Sequence, residues 1–284
     1  MRIALIQMPV TADKRRNIET ACGKIREAAG KGTDFAVLPE MFCSPYQNDC
    51  FRAYGENENG PALAALSALA AELGIYIVGG SIPELADGNI YNTSYVYGRR
   101  GELLAKHRKV HLFDIDVAGG QRFRESDTLS PGNAVTTFKT DFGIMGLCIC
   151  FDLRFEELAR CMCLRGARCI FVPAAFNMTT GPAHWELLFR QRAVDNQCFT
   201  VGVSPPGMKQ RVMWPTAIPS PWTPGARSSA VPAERISPCT PTWTSPGWML
   251  SVPNCLSSPP DARTCMRCVK NEGHKNQETA KAVS

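Results

Sequence analysis

The chain has 284 residues, of which 44% are hydrophobic and 20% charged, enough for one large domain with a full core. No apolar run is long enough to span a bilayer, and the N-terminus, MRIALIQMPV, leads into a strand pattern with no signal-peptide cleavage site. These features predict a cytoplasmic protein, so the 13 cysteines are read as thiols rather than a disulfide framework.

Averages conceal a break. Residues 206–284 hold nine Lys and Arg against four Asp and Glu, so the whole net charge of +5 lies there. Thirteen of the 21 prolines fall between Pro205 and Pro260, with four of the five tryptophans. The remainder is neutral, which gives no support to a nucleic-acid surface. The proline spacing forbids helices and central strands, and composition predicts a disordered tail.

Residues 1–205 alternate between strand and helix patterns. Ile3 to Gln7 reads as a strand and residues 16–29 as a helix, with Ile18, Ala21, Cys22, Ile25 and Ala29 at helical spacing. Phe35 to Leu38 is a buried strand stopped by Pro39. Residues 62–73 form a helix before the strand Ile75 to Val78. Thr93 to Tyr97 and Leu103 to Lys106 flank Gly-Arg-Arg-Gly as a hairpin. Strands at Ile144 to Ile149, Cys169 to Pro173 and Phe199 to Val203 alternate with helices over 154–165 and 183–196. The order predicts a layered α/β domain without internal repeats.

Cys150 is the sharpest candidate for chemistry. GIMGLCIC runs directly into FDLRFEELAR, which places Cys150 at a strand-to-helix turn near the positive end of a helix. That position lowers a thiol pKa and exposes the sulfur; the plainer reading is a core cysteine. Cys148 faces the other side of the strand and reads as packing. Glu40 follows the strand FAVL and a proline, where a carboxylate is either used or a surface loop residue. Lys109 lies in AKHRKVHLFD, whose basic residues ordinarily form a solvated face. His107 and His111, four apart, lack a metal-ligand pattern.

Together these pieces resemble the nitrilase, or carbon–nitrogen hydrolase, superfamily. FAVLPEMF is similar to its glutamate motif, KHRKVHLFD to its lysine motif and GLCICFDLRF to its cysteine motif, in the family's order. FRESDTLSPG resembles a segment carrying a second glutamate, Glu125. FNMTTGPAHWELLFRQRAVDNQ, GGSIPE and IYNTS are similar to the ω-amidase branch. The resemblance covers residues 1–205; Glu156, where many relatives have proline, is a departure that a helix's first turn tolerates.

The resemblance implies a four-layer α-β-β-α sandwich, usually homo-oligomeric, with no cofactor or metal. It implies an amidase forming a cysteine thioester: Glu40 as general base, Cys150 as nucleophile, Lys109 as oxyanion stabiliser and Glu125 orienting Lys109. The substrate is then a small-molecule amide whose far end is a carboxylate, such as α-ketoglutaramate. Arg154 is a candidate to hold that carboxylate or a structural ion-pair partner. Tyr46 is a candidate to line the pocket or simply to pack. Another amidase, such as an N-carbamoyl hydrolase, and a non-functional product are the competing readings.

The resemblance stops after Val203-Ser204-Pro205. Back-translating the tail and reading from the third base of each codon forces Glu at Met208-Lys209, Val at Met213-Trp214, Ala at Trp214-Pro215, and Asp at Trp222-Thr223 and Trp243-Thr244. Val212 to Ser220 then permits the family's Y-V-A-Y-G-H-S, Pro221 to Ser228 permits D-P-W-G-E, Cys239 to Ser245 permits A-D-x-D-L, and Pro260 to Met266 permits R-R-x-D-L-Y. Loss of one base near the Pro205–Pro206 codons accounts for this. The tail is therefore read as a frameshifted segment that deprives the sandwich of its last strands and impairs its subunit interface. The Cys265–Cys268 pair, without a second ligand pair, is read as functionless.

Overall fold

The computed structural model describes residues 1–116, 122–176, 181–206 and the strand Trp248–Ser251. In chain order the elements are β1 (Arg2–Leu5), α1 (Lys14–Ala29), β2 (Phe35–Val37), α2 (Asn48–Tyr54), α3 (Pro61–Leu73), β3 (Tyr76–Val78), β4 (Ile82–Ala86), β5 (Asn89–Tyr97) and β6 (Leu103–Arg108). There follow β7 (Asp114–Asp116), β8 (Arg122–Arg124), β9 (Thr136–Thr140), β10 (Gly143–Leu147), α4 (Glu156–Leu164), β11 (Cys169–Pro173), α5 (Gly181–Asn196), β12 (Phe199–Val203) and β13 (Trp248–Ser251).

Two sheets carry the domain. One runs β13-β1-β2-β3-β5-β4, with β6 also paired to β5; the other runs β12-β11-β10-β9. Alternation along each strand divides its side chains between two cores. Ile3, Leu5, Phe35, Val37, Tyr76 and Val78 pack against Met145, Leu147, Phe171 and Val201, forming the layer between the sheets. On the outer face of the first sheet, Ala4, Ala36, Leu38 and Ile77 meet Ala21 and Ile25 of α1 and Leu66 and Leu69 of α3. On the outer face of the second, Ile170 and Val172 meet Met162 of α4 and Leu188 and Phe189 of α5. The result is the expected α-β-β-α sandwich.

Local chemistry explains the boundaries. Asp13 caps α1 through its side chain, accepting from the Arg16 N–H, and Pro61 opens α3 at a position where its missing N–H costs nothing. Gly74 closes α3 at φ 64°, a conformation a side chain would resist. The predicted strands at Cys169–Pro173 and Phe199–Val203 are found at those bounds. Besides β13, four strands and a short helix escaped prediction: β4, β7, β8, β9 and α2. Their residues are mixed in polarity, and among the described residues β7 and β8 pair only with each other.

One expectation is corrected. Composition predicts a disordered tail, yet Trp248–Ser251 forms a strand antiparallel to β1, Arg2 opposite Ser251 and Leu5 opposite Trp248. These residues lie in a proline-free interval between Pro246 and Pro253, and β13 occupies a sheet edge, where neighbouring prolines are tolerated. The rest of the tail expectation, including Cys265 and Cys268, lies outside the described residues.

Candidate active site

The site lies beyond the carboxyl ends of β2, β6 and β10. Glu40 follows β2, and its N–H donates to the Ala174 carbonyl beyond β11 at 3.3 Å, joining the ends of the two sheets. Lys109 follows β6, Cys150 follows β10, and Glu125 opens a short 3-10 turn after β8. All four are buried, with Glu40, Lys109 and Glu125 at no more than 1% exposure. The plainer readings of Glu40 as a surface carboxylate and Lys109 as part of a solvated face therefore fail. The neighbouring Lys106 and Arg108 are themselves only partly exposed and both pair with the buried Glu84.

Lys109 bridges two carboxylates. Its Nζ is 2.8 Å from Glu40 Oε1 and 2.9 Å from Glu125 Oε2. Tyr46 donates its hydroxyl to Glu125 Oε1 at 2.6 Å and lies 3.3 Å from Lys109 Nζ. Asn92 Nδ2 donates to Glu40 Oε1 at 2.8 Å. The Phe113 N–H donates to Glu125 Oε2 at 2.6 Å. These bonds leave Glu40 Oε2 without a hydrogen-bond partner. Asn92 was not anticipated: an asparagine inside a strand pattern carries no signal until the strand's register aims it at the carboxylates.

Charge and burial set the protonation chemistry. Burial raises the Glu40 pKa above its ordinary value, against the pull of Lys109 and with some help from Glu125. Burial works to lower the Lys109 pKa, but Glu125 and Glu40 outweigh it and hold the ammonium charged well above its usual range. Burial pushes the Cys150 thiol well up, and Glu40 pushes it further, while Lys109 and the Ala175 backbone N–H pull it down. The expectation of an exposed, acidified thiol at a helix terminus is thus wrong in direction. Cys150 starts a 3-10 turn, not an α-helix, and burial together with Glu40 favours the protonated sulfur over the opposing pull of Lys109 and the Ala175 N–H.

The backbone around Cys150 is held in an uncommon shape. Cys150 has φ 45° and Met41, next to Glu40, has φ 51°, both rare for side-chain-bearing residues. Asp152 fixes the turn: its carboxylate accepts from the N–H groups of Ile149, Val110 and His111 at 2.8 to 3.1 Å. His107 Nε2 and His111 Nδ1 also bond to it, at 3.0 and 2.8 Å. Burial alone would raise the Asp152 pKa, but the two histidines and the Ile149 N–H hold it well below the usual carboxylate range. One buried carboxylate therefore ties the loop carrying Lys109 to the turn carrying Cys150. Arg192 supports the same turn from α5, donating to the carbonyls of Leu153 and Arg154 at 3.0 and 2.8 Å. Neither Asp152 nor Arg192 stood out in the sequence, since their partners lie about 40 residues away in the chain.

A small cleft opens on Cys150, lined also by Tyr46, Phe113, Phe151, Arg154, Ala175 and Phe176. Tyr46 thus both lines the cleft and bonds to Glu125. Among the described residues, Arg154 is the one charged residue in the lining. Its Nη2 donates to His184 Nδ1 at 2.9 Å, its guanidinium lies over the Phe151 ring at 5.1 Å, and its buried Nε has no partner among the described residues. Among the described residues it forms no ion pair, against the structural reading. No group of three or more metal-ligating side chains occurs among them either.

A buried thiol beside a carboxylate and an ammonium, on an α-β-β-α sandwich, defines a class of hydrolase that attacks carbon–nitrogen bonds through cysteine. The model of the carbon–nitrogen hydrolase family matches residues 2–223, and the chain belongs to that family. It is 49% identical over 224 residues to the omega-amidase NIT2 of Xenopus tropicalis, covering 78% of this chain and 81% of that protein. It is 52% identical over 204 residues to the omega-amidase NIT2 of Homo sapiens, covering 72% and 74%. Among solved structures, Saccharomyces cerevisiae Nit3, a member of branch 10 of the nitrilase superfamily, superposes with a TM-score of 0.66 at 42% identity, covering 72% and 75%. Among the described residues no helix is long and apolar enough to cross a membrane.

Proposed function

We propose that the fold is that of an ω-amidase, releasing ammonia from the terminal amide of a small keto-diacid such as α-ketoglutaramate. The observation that carries this reading is the single guanidinium, Arg154, facing the same apolar cleft as Cys150 with an unpartnered Nε. An apolar cleft with one fixed cation selects a short substrate with a carboxylate at the end remote from the amide. The NIT2 relatives carry the omega-amidase name, which supports the same choice.

The geometry supports a two-stage acyl transfer. Cys150 attacks the amide carbon as its proton passes to Glu40, whose raised pKa makes it a stronger base and whose Oε2 has no competing donor. Lys109, fully charged, offsets the negative charge that develops on the amide oxygen. Glu40 returns the proton to the leaving ammonia, and a water deprotonated by Glu40 then cleaves the thioester. Glu125 and Tyr46 hold Lys109 in place throughout.

For the tail we propose the single-base frameshift, with residues 1–205 as the enzyme domain and 206–284 as the displaced segment; the family match itself runs on to residue 223, past the proposed break. The supporting observation is compositional: charge balance, proline and tryptophan all break at one point. We further propose a cytoplasmic location and, for the reading frame restored by one base near codon 206, a homo-oligomer whose interface is impaired in the present chain. The test of the substrate reading compares hydrolysis of α-ketoglutaramate with that of a neutral amide of similar length by the frame-restored chain. Equal turnover of the two, or a preference for an N-carbamoyl amine, would overturn it.

A further inference from the structure

One side chain reaches both carboxylates of the buried cluster. Asn92, fully buried in β5, donates its Nδ2 to Glu40 Oε1 at 2.8 Å and lies 3.3 Å from Glu125 Oε1. Ionised carboxylates only accept, so the nitrogen end of the amide is the end that faces them. The backbone of the same residue serves the third member: the Asn92 carbonyl accepts from the Lys109 N–H at 2.8 Å, just past the end of β6. A single strand residue thus meets Lys109 through its backbone and, through its amide, two carboxylates 52 and 33 residues away in the chain.

The bonds are shared unevenly between the two oxygens of Glu40. Oε1 accepts from Lys109 Nζ and from Asn92 Nδ2, both at 2.8 Å, with the Tyr46 hydroxyl 3.4 Å away. Oε2 has no partner among the described residues. The terminal torsion of a glutamate is soft. A bond to Lys109 alone would hold Oε1 and leave the carboxylate plane free to swing about it. A second donor on the same oxygen fixes the plane, and with it the direction of Oε2. The neutrality of that donor matters as much as its position. Lys109 brings one positive charge to two carboxylates, and the titratable groups facing Glu40 are Lys109, Glu125, Tyr46 and Cys150. A second cation in place of Asn92 would make Glu40 a much weaker base, whereas an amide orients it without adding charge.

We propose that Asn92 is a positioning residue for the hydrolysis: its amide locks Glu40 Oε1 beside Glu125 and so turns Glu40 Oε2 to the proton it takes. The inference rests on the reading of Glu40 as general base. Asn92 acts through Glu40 and is not part of the lining of the cleft.

The test uses the frame-restored chain, in which residues 1–205 and the whole cluster are unchanged, carrying Asn92→Leu or Asn92→Asp, with Glu40→Gln as the control. The first variant removes the donor at similar volume; the second keeps the shape and puts a third carboxylate against Glu40. Ammonia release is followed from mildly acidic to mildly alkaline pH on α-ketoglutaramate and on pentanamide, a neutral amide of the same chain length, so that the choice of substrate does not decide the result. A variant that melts like the parent is expected to lose kcat at least about tenfold, part of what a general base contributes, with KM little changed. The acid limb of kcat/KM should move to higher pH, because ionised Glu40 has lost a donor or gained an adjacent anion. Parent-like kcat and acid limb in either folded variant, or a loss carried by KM alone, beside an inactive Glu40→Gln, would overturn this inference and leave the base reading standing. Parent-like turnover by Glu40→Gln would overturn both.

Discussion

Lys109→Met removes the charge at the centre of the buried cluster while keeping an unbranched side chain of similar volume. The ammonium lies 2.8 Å from Glu40 and 2.9 Å from Glu125, and all three side chains are fully buried. Deleting one partner of a buried pair costs about 3–5 kcal/mol, because the remaining charge is left without compensation. Here two carboxylates lose the same partner, and Asn92 and Tyr46 offset only part of the loss. At neutral pH the variant should therefore lie about 3–5 kcal/mol below the parent, a fall in Tm on the order of 10 °C for a domain of this size. The pH dependence has a definite sign. Burial already raises Glu40, and without Lys109 its folded pKa rises further. A carboxyl with a folded pKa above its unfolded one costs most where it must stay ionised, and its cost disappears once it is protonated. The deficit relative to the parent should then narrow as pH falls through the raised pKa. Paired denaturant melts of the frame-restored chain and its variant across neutral to mildly acidic pH measure this. A deficit under about 1 kcal/mol at neutral pH, or one that widens on acidification, would refute the argument. Turnover should fall at least about a hundredfold, the scale of losing an oxyanion donor.

Arg154→Ala in the frame-restored chain should weaken turnover of α-ketoglutaramate more than that of a neutral amide, by about 2–5 kcal/mol if the guanidinium meets a carboxylate in the cleft; equal losses on both substrates assign Arg154 to structure. Glu84, buried and bonded to Lys106, Arg108 and Thr93, has its pKa lowered to about 2: burial acts to raise it, but those three donors prevail. Its contribution to stability is present above the ordinary carboxylate pKa and is lost as pH falls toward about 2, so Glu84→Gln should flatten the acid limb of a stability–pH curve. The present chain should be largely inactive and aggregation-prone beside its frame-restored counterpart, since β12 is a sheet edge among the described residues; comparable solubility, cooperative melting and turnover in side-by-side expression would contradict this.

The sandwich was legible because its strands announce themselves. Phe35 to Leu38, Cys169 to Pro173 and Phe199 to Val203 are apolar runs with period-two partition between two cores, bounded by Pro39, Pro173 and a polar helix end. The three residues proposed to react were legible by motif, Glu40 and Cys150 each at the end of an apolar run and Lys109 at the end of the mixed strand β6. Their electrostatics were not. A sequence shows Cys150 entering a helical pattern, but not that a 3-10 turn intervenes or that burial, helped by Glu40, raises the pKa of its thiol. Asp152 and Arg192 act through backbone N–H and carbonyl groups far along the chain, contacts that leave no spacing to read. The strand β13 was missed for a different reason: composition averaged over a proline-rich tail hid the six-residue interval between Pro246 and Pro253 that is free to pair.

Acyl transfer through Cys150 is tested most directly by mass spectrometry of the frame-restored chain quenched during turnover of α-ketoglutaramate, alongside Cys150→Ala. The account predicts an acyl adduct confined to the peptide bearing Cys150, ammonia release by the parent, and neither adduct nor ammonia from a Cys150→Ala variant that melts like the parent. Substantial ammonia release by that folded variant, or an adduct on another residue, would contradict it.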